Sequence, residues 1–239
     1  MSLRGATPNK PETALIVFAR APEPGRVKTR LVPLLGKSGA ARLHARLVER
    51  TLVTAFAAGF DNVDLYCSPG IDHIFFVKNH KRFGVGLRSQ GRGDLGDRMY
   101  RAFGRALRSR PYAVLIGSDC PVLRPGDLRA AVGALRAGAD AVLSPAEDGG
   151  YALIGLRRVS RRLFDGIAWS TPAVLAQTRR RLRQLRWRWK ELRTVWDVDR
   201  PQDVARLNKL RSRRISRADR QRARPSAGSP ARWDAPGRT

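Results

Sequence analysis

The sequence predicts an α/β fold, a largely parallel sheet with helices on both faces. Short apolar runs alternate along the chain with segments whose apolar residues recur at helical spacing. The runs end abruptly in loops rich in glycine, proline and charge, as ALIVFA does at Arg20. Hydrophobic residues make up 42% of the chain, so most of it is expected to fold. Alternation of this kind is typical of a sheet covered on both sides.

The predicted elements follow one another in strand and helix order. Strands are expected at 14–19, 62–67, 85–89, 112–117, 141–146, 151–156 and 186–195. Helices are expected at 36–59, from the glycine-rich loop to 107, and at 125–138, 171–185 and 201–210. Pro125 opens one of these helices, and Thr171 with Pro172 suits the cap and first turn of another. The segment 71–84 has no clear pattern.

Length and charge set the domain organisation. The 239 residues suffice for one α/β domain or two small ones. We expect a flexible leader at 1–12, a single domain at 13–210 and a disordered basic tail at 211–239, where nine Arg and two Asp stand with few apolar residues. The net charge of +27 predicts attraction to polyanions at low salt, with the tail as a non-specific binding segment.

Several classes of protein are disfavoured by what the sequence does not show. Cys67 and Cys120 stand far apart and give no disulfide framework. His44, His73 and His80 form no zinc-binding pattern. The first apolar run is too short for a signal peptide and no run reaches the length of a membrane span, so we expect a cytoplasmic protein. The oligomeric state is not predicted.

The loop after the first strand is the first candidate site. It contains two prolines that stiffen the chain, Gly25 that permits a close backbone approach, and the cations Lys28 and Arg30. Such a loop can bind phosphate groups, since cations and free backbone N–H groups both favour an anion. The alternative is a solvated turn with ordinary surface cations, and spacing alone does not decide between them. The P-loop spacing is absent.

Aspartates after two other strands form the second candidate. Asp119 directly follows the strand YAVLIG, where a carboxylate could bind Mg2+ together with substrate phosphates. The alternative is a turn residue before Pro121. Asp199 could supply a second carboxylate or cap the last helix, and Asp197 belongs to the same segment, WDVDR. Cys120 is interpreted as a buried structural thiol.

Two further loops and one strand have unusual composition. In AEDGGYALIGL, the glycines after Asp148 leave room for a substrate and Tyr151 offers a ring and a hydroxyl, although Asp-Gly alone also indicates a tight turn. The glycines of QGRGDLGDRM precede a helix and could receive a base or a phosphate. In RWRWK, residues 186–190, a buried Trp face is favoured over an RNA-stacking platform.

Five segments, taken in order, resemble the successive motifs of one bacterial family: FARAPEPGRVKTRL, QGRGDLGDRM, GSDCP, PAEDGGYALIGL and DVDRPQDV. The family consists of uncharacterised GT-A-like proteins, usually described as nucleotide-diphospho-sugar transferases and in part as glycosyltransferases linked to arsenosugar biosynthesis. The resemblance spans about residues 14–210. It implies a three-layer Rossmann-like GT-A fold with a mostly parallel mixed sheet. The implied superfamily includes the guanylyltransferases of molybdenum-cofactor and phospholactate metabolism.

The resemblance also implies a role for each motif. The residues implied to bind the nucleotide are Arg20, Gly25, Lys28, Arg30, Gln90, Gly93 and Asp94. Those implied to line the acceptor side are Asp148, Gly149, Gly150 and Tyr151. Asp119 and Asp199 would bind Mg2+ or Mn2+, and the implied catalytic residues are Lys28, Asp119 and Asp148.

The chain departs from the family pattern at two positions that bear on function. The Asp-x-Asp of GT-A glycosyltransferases is here Ser118–Asp119, with one carboxylate, and Arg200 and Gln202 depart from the usual DTPED. The first expectation is glycosyl transfer from a nucleoside-diphosphate sugar to a small acceptor. The second is nucleotidyl transfer from a nucleoside triphosphate, which the single Asp favours. A basic nucleic-acid-binding module is the third.

Overall fold

Seven strands form one sheet in the computed structural model of the protein, which describes residues 12–60 and 62–210. In chain order the strands are β1 Thr13–Arg20, β2 Val63–Ser68, β3 Gly86–Ser89, β4 Tyr112–Gly117, β5 Ala141–Pro145, β6 Tyr151–Leu156 and β7 Trp189–Glu191. The longer helices between them are α1 Val32–Ala57, α2 Ile74–Phe83, α3 Leu95–Ala106, α4 Pro125–Arg136 and α5 Val174–Gln184.

The strand order of the sheet is β3-β2-β1-β4-β6-β5-β7. β1 is parallel to both β2 and β4, whereas β6 is antiparallel to β4 and to β5. β7 is parallel to β5. The mostly parallel mixed sheet that the sequence predicts is therefore confirmed. It brings the carboxyl ends of β1, β4, β5 and β7 to one edge, where β6 begins.

Strand β1 shows why its sequence is apolar without a break. Leu15, Val17 and Ala19 pack into one hydrophobic cluster, together with buried residues of α1, α2 and α4. Ile16 and Phe18 pack into a second cluster, with residues of α3 and α5. Because successive side chains of a strand point to opposite faces, both sets are buried only when helices cover both faces. This is the expected three-layer arrangement.

Helices differ from the sequence prediction in two places. The unassigned segment 71–84 contains α2, which buries Phe76 and ends where Gly84 adopts a φ of +68°. Helix α1 begins four residues before the predicted start, because a short N-terminal segment is joined to the main helix across a kink at Gly36. The φ of +68° and ψ of 164° at Gly36 are readily accessible only to glycine.

The predicted strand at 186–195 was too long. Only Trp189–Glu191 pairs as β7, and Arg186 has a left-handed φ of +54° that is incompatible with a strand. Trp187 is nevertheless buried, and Trp189 packs partly buried against the same cluster, so both indoles belong to the core. The predicted start of α5 at Thr171 was also early. The Thr171 hydroxyl accepts a hydrogen bond from the N–H of Ala173 at 3.3 Å, one residue before the helix begins.

The chain divides by its internal contacts into two units, Met1–Pro201 and Gln202–Thr239. The second unit is described only over 202–210, which are helical. The predicted tail and the first eleven residues of the predicted leader lie outside the described residues, so the domain boundaries stay predictions. No helix within the described parts of the chain is both long enough and apolar enough to cross a membrane.

Candidate active site

Three chain segments meet at the carboxyl edge of the sheet. The backbone N–H of Val198 donates to the carbonyl of Asp119 at 3.0 Å, which joins the segment after β7 to the loop after β4. The N–H of Glu147 donates to the carbonyl of Val195 at 3.0 Å and joins the β5–β6 loop to the same segment. The carboxylates predicted from three separate motifs are therefore brought to one place by the backbone itself.

Lys28 of the first loop lies inside this edge. Its backbone is left-handed, with a φ of 48° and a ψ of 42°, a conformation that costs a non-glycine residue about 1–2 kcal/mol. Its Nζ lies 2.9 Å from Oδ1 of Asp119, and its side chain is only 5% exposed. Gly25 turns the same loop with a φ of +79°. Lys28 is thus an ion-paired residue of the site and is shielded from solvent.

The carboxylate of Asp119 has two different oxygens. Oδ1 is buried, although the side chain as a whole is 43% exposed. Burial would raise the pKa of this carboxyl, but the Lys28 ammonium and the neighbouring His44 outweigh that effect and hold the pKa well below its usual range. Asp119 is therefore charged throughout the neutral range. In Cys120, burial and then the charge of Asp197 raise the pKa of the thiol to about 12, which fits the expected structural thiol.

Arg30 and Asp199 form a second ion pair across the same loops. Both side chains are substantially exposed, so the pair itself adds little stability. The position of the Arg30–Asp199 pair bears more on function than its contribution to stability does. Each of the two cations predicted to bind phosphates is paired with one of the two carboxylates predicted to bind a metal. The structure thus brings Lys28, Asp119, Arg30 and Asp199 together.

Asp197 is a further member of this cluster, and the sequence alone assigns it no role. Burial, followed by the charges of Asp119 and Asp148, raises the pKa of Asp197 to about 7. Its Oδ1 is buried and accepts no hydrogen bond from the described residues. The segment WDVDR contains a sequence signal for it, because residues two apart in an extended segment, such as Asp197 and Asp199, point to the same face.

The donor set at this edge suits a hard divalent cation. Carboxylate oxygens are the ligands that Mg2+ and Mn2+ prefer, and the buried Oδ1 of Asp197 lacks a donor. Within the described residues, no group of three or more His, Cys, Asp and Glu side chains is placed to hold a metal ion together. In proteins that bind phosphorylated substrates, Mg2+ is usually held by one or two carboxylates together with the substrate phosphates.

The glycine-rich segment before α3 has a structural role in this fold. Gln90 is buried, and its Nε2 donates to the carbonyls of Ala19 at 3.0 Å and Tyr66 at 2.9 Å. Its Oε1 accepts from Nη1 of Arg98 at 2.9 Å. Gln90 therefore ties together the ends of β1 and β2 and fixes one edge of the Arg98 guanidinium. Burial, followed by the charge of Arg20, lowers the pKa of Arg98.

Asp94 caps helix α3, because its Oδ1 accepts a hydrogen bond from the N–H of Asp97 at 2.8 Å. Gly93 lies beside Asp97, and the side chain of Arg20 is exposed at the end of β1. The implied contacts of these residues with a nucleotide stay predictions.

The implied acceptor loop lies between β5 and β6. Asp148 is exposed, and its Oδ1 accepts from the N–H of Gly150 at 2.9 Å. Gly149 has a φ of +87°, and a Cβ there would lie 2.3 Å from the carbonyl oxygen of Pro172, so packing alone requires glycine. The hydroxyl of Tyr151 is buried in the protein, which raises its pKa, so the expected offer of this hydroxyl to an acceptor is not seen in this conformation.

Comparisons with known proteins now identify the family. The family model described as "Uncharacterized protein conserved in bacteria (DUF2064)" matches residues 51–171. A crystal structure from Desulfovibrio desulfuricans G20, provisionally described as a nucleotide-diphospho-sugar transferase, is 32% identical and has a TM-score of 0.72. The match covers 79% of this chain and 83% of that one. The chain therefore belongs to the bacterial family described by the matching model, DUF2064. Its finer links to arsenosugar or molybdenum-cofactor proteins stay predictions.

More distant structures share the fold. The 4-diphosphocytidyl-2C-methyl-D-erythritol synthase of Anaerococcus prevotii DSM 20548 is 9% identical with a TM-score of 0.57, over 84% of this chain and 98% of that one. Glucosyl-3-phosphoglycerate synthase of Mycobacterium tuberculosis, solved with Mn2+ and UDP, is 14% identical with a TM-score of 0.52, over 81% and 74%. No curated protein matches the sequence significantly. The family therefore has the fold used by nucleotidyltransferases and sugar-nucleotide transferases.

Proposed function

We propose that the protein is a metal-dependent transferase that uses a nucleotide-activated donor, and that it transfers a glycosyl group from a nucleoside-diphosphate sugar to a small acceptor. One observation supports this above the others. Lys28 and Arg30 from one loop meet Asp119 and Asp199 from two others, so that two cations and two carboxylates lie together at the carboxyl edge of the sheet. A diphosphate with a divalent cation needs these two kinds of partner side by side.

In this proposal the exposed Arg30 contacts the diphosphate of the donor, and Lys28, which is only 5% exposed in its ion pair with Asp119, adds positive charge close to it. Lys28 acts as a compact charge and Arg30 as a two-pronged donor, and both offset the negative charge that develops on the departing nucleoside diphosphate. Asp119 and Asp199 would hold Mg2+ or Mn2+, which would supply further positive charge to the donor phosphates. The backbone hydrogen bond from Val198 to Asp119 keeps the two carboxylate-bearing segments in register before any ligand binds.

The acceptor lies, in the same proposal, against the loop between β5 and β6. Asp148 is exposed there and is the proposed base that takes the proton of the acceptor hydroxyl. Gly149 and Gly150 leave no side chains on this part of the loop, and the ring of Tyr151 borders it. Arg20, Gly25, Gln90, Gly93 and Asp94 are the proposed surroundings of the nucleotide.

Nucleotidyl transfer is the second candidate, with pyrophosphate as the leaving group. The observation that favours it is the single carboxylate of Ser118–Asp119, where the Asp-x-Asp pattern of GT-A glycosyltransferases has two. The charges at the site serve either reaction, because a diphosphate or pyrophosphate departs in both. The two reactions differ in their donor.

A thermal-shift screen with Mn2+ tests both candidates. A ligand at a hundred times its dissociation constant stabilises a protein by about 2.7 kcal/mol. We expect sugar nucleotides to raise the melting temperature in the presence of Mn2+ and not in EDTA, and hits among nucleoside triphosphates alone would favour nucleotidyl transfer. The Asp119→Asn variant is the control and should lose the Mn2+-dependent part of any shift. A screen without any metal-dependent hit would contradict the proposal.

A further inference from the structure

His44 is a buried polar residue on the face of α1 that packs against the sheet. Its neighbours on that face are small or apolar, among them Ala40, Ala41, Leu47 and Val48, and its own side chain is 4% exposed. A polar side chain in such a position costs free energy unless partners compensate it. The ring nitrogens of His44 therefore need polar partners within the protein.

Both ring nitrogens of His44 face oxygen atoms of the site. Nε2 lies 3.1 Å from the carbonyl oxygen of Arg20, the last residue of β1. Nδ1 lies 3.5 Å from Oδ1 of Asp119, a contact longer than a standard hydrogen bond but within the range of an ion pair. The first contact anchors the ring to the end of the strand, and the second places it against the carboxylate.

The same oxygen of Asp119 receives Lys28. Nζ of Lys28 lies 2.9 Å from Oδ1, the oxygen that the His44 ring also faces. Oδ1 is buried while the side chain is 43% exposed, so the exposed part of the carboxylate includes Oδ2. Two buried side chains thus fix one oxygen in the protein and leave the other facing outward.

We infer that His44 is a positioning residue, which holds Oδ1 of Asp119 inside the protein so that Oδ2 alone is presented to a divalent cation. The inference rests on the proposed function, because it assigns His44 a part in metal binding by Asp119. His44 does not touch the cation or the donor. Partners that orient a metal ligand typically change metal affinity about 10- to 100-fold when they are removed.

The chain offers a matched control in His80. Its Nδ1 lies 2.7 Å from the carbonyl oxygen of Val85, so this ring also contacts a backbone carbonyl, but in the described structure no ion pair joins it to a carboxylate. His44→Phe keeps a ring of similar size without donors, and His44→Gln keeps a side chain that can still donate a hydrogen bond. Replacing His80 by Gln changes a histidine–carbonyl contact elsewhere in the fold.

The test is the binding of Mn2+ alone, followed by the electron paramagnetic resonance signal of free Mn2+, with folding checked by circular dichroism. We expect His44→Phe to raise the dissociation constant of Mn2+ about 10- to 100-fold, His44→Gln to raise it less, and His80→Gln to leave it unchanged. Wild-type affinity in folded His44→Phe would overturn the inference and leave the proposed function standing. If His44→Phe does not fold, wild-type affinity in His44→Gln overturns it. Absence of Mn2+ binding by the wild-type protein would also overturn the inference, whereas the thermal-shift screen with nucleotides and Mn2+ decides on the proposed function.

Discussion

Asp119 and Asp197 are neighbouring carboxylates with opposite electrostatic surroundings. For Asp119, burial raises the pKa, but Lys28 and His44 more than compensate and hold it well below the usual range. For Asp197, burial, followed by the nearby charges of Asp119 and Asp148, outweighs the effect of Lys28 and raises the pKa to about 7. The hydrogen bond from the N–H of Val198 to the carbonyl of Asp119 holds the two aspartate-bearing segments together. The opposite shifts of the two pKa values therefore do not arise from a large separation between these segments.

The contrast shows how the site distributes its positive charge. Lys28 pairs with Asp119 and Arg30 pairs with Asp199, so these two cations are committed to two of the three neighbouring carboxylates. The third carboxylate, that of Asp197, has a buried Oδ1 that accepts no hydrogen bond from the described residues. A divalent cation would relieve this imbalance, because it adds the positive charge that Asp197 lacks.

Replacing Asp119 by Asn should have the largest effect on function. It removes the carboxylate that is charged at neutral pH, so we expect metal-dependent turnover to fall at least about 100-fold. It also leaves the ammonium of Lys28, which is only 5% exposed, without its counter-ion. Loss of one partner of a largely buried pair should cost about 1–3 kcal/mol of unfolding free energy. Turnover assays and urea unfolding measure the two effects.

Lys28→Met supplies the control for that variant. It leaves a carboxylate that is 43% exposed and that water can solvate, so its cost in stability should be smaller than that of Asp119→Asn. The double variant should recover stability relative to Asp119→Asn without recovering turnover, because it no longer buries a lone charge. Full turnover in Asp119→Asn would contradict the assigned role of this carboxylate.

Asp197→Asn should have an effect of intermediate size. The property that it changes is the dependence of folding stability on pH. Below pH 4 the carboxyl is protonated in both the folded and the unfolded chain. Between pH 4 and 7 the unfolded chain releases the proton while the folded chain retains it, so the folded state loses stability as pH rises, and the loss levels off above pH 7. A pKa raised from 3.8 to about 7 corresponds to at most about 4 kcal/mol.

Urea unfolding at pH 5 and at pH 8 measures this contribution. We expect Asp197→Asn to gain stability relative to the wild-type protein at pH 8 and to gain less at pH 5. Asp165→Asn is the control, since Asp165 is an exposed carboxylate that pairs with Arg161 away from the cluster. Equal differences from the wild type at both pH values would show that Asp197 retains no proton in the folded protein at pH 5.

Most of the fold could be predicted from the sequence because the pattern of apolar runs is strong. Strand β4 was predicted with its observed bounds, Tyr112–Gly117, since a buried parallel strand between polar loops has clear ends. Helix α2 was missed because its buried face is short and includes Asn79. Strand β7 is predicted too long because Arg186 fits the alternating pattern of RWRWK, whereas its backbone is left-handed.

The candidate site was predictable only in part. Lys28, Asp119 and Asp199 each follow a predicted strand, and the rule that parallel strands end at one edge brings them together. His44 and Asp197 were not assigned to the site, because their relevance depends on what faces them in space. His44 lies in a helix 75 positions before Asp119, and no spacing rule connects the two.

Deleting residues 211–239 should have the smallest effect on the site and separates the transferase from a nucleic-acid-binding module. The deleted segment contains nine Arg and two Asp, whereas the charged cluster lies within residues 28–199. We expect the Mn2+-dependent thermal shift to stay unchanged, and affinity for single-stranded RNA at low salt to fall with a shallower salt dependence. Exchanging the same Arg for Gln separates charge from length. If the shift by a nucleotide were lost with the tail, or weakened with salt as steeply as RNA binding does, the cluster around Asp119 and Asp197 would not be the nucleotide site.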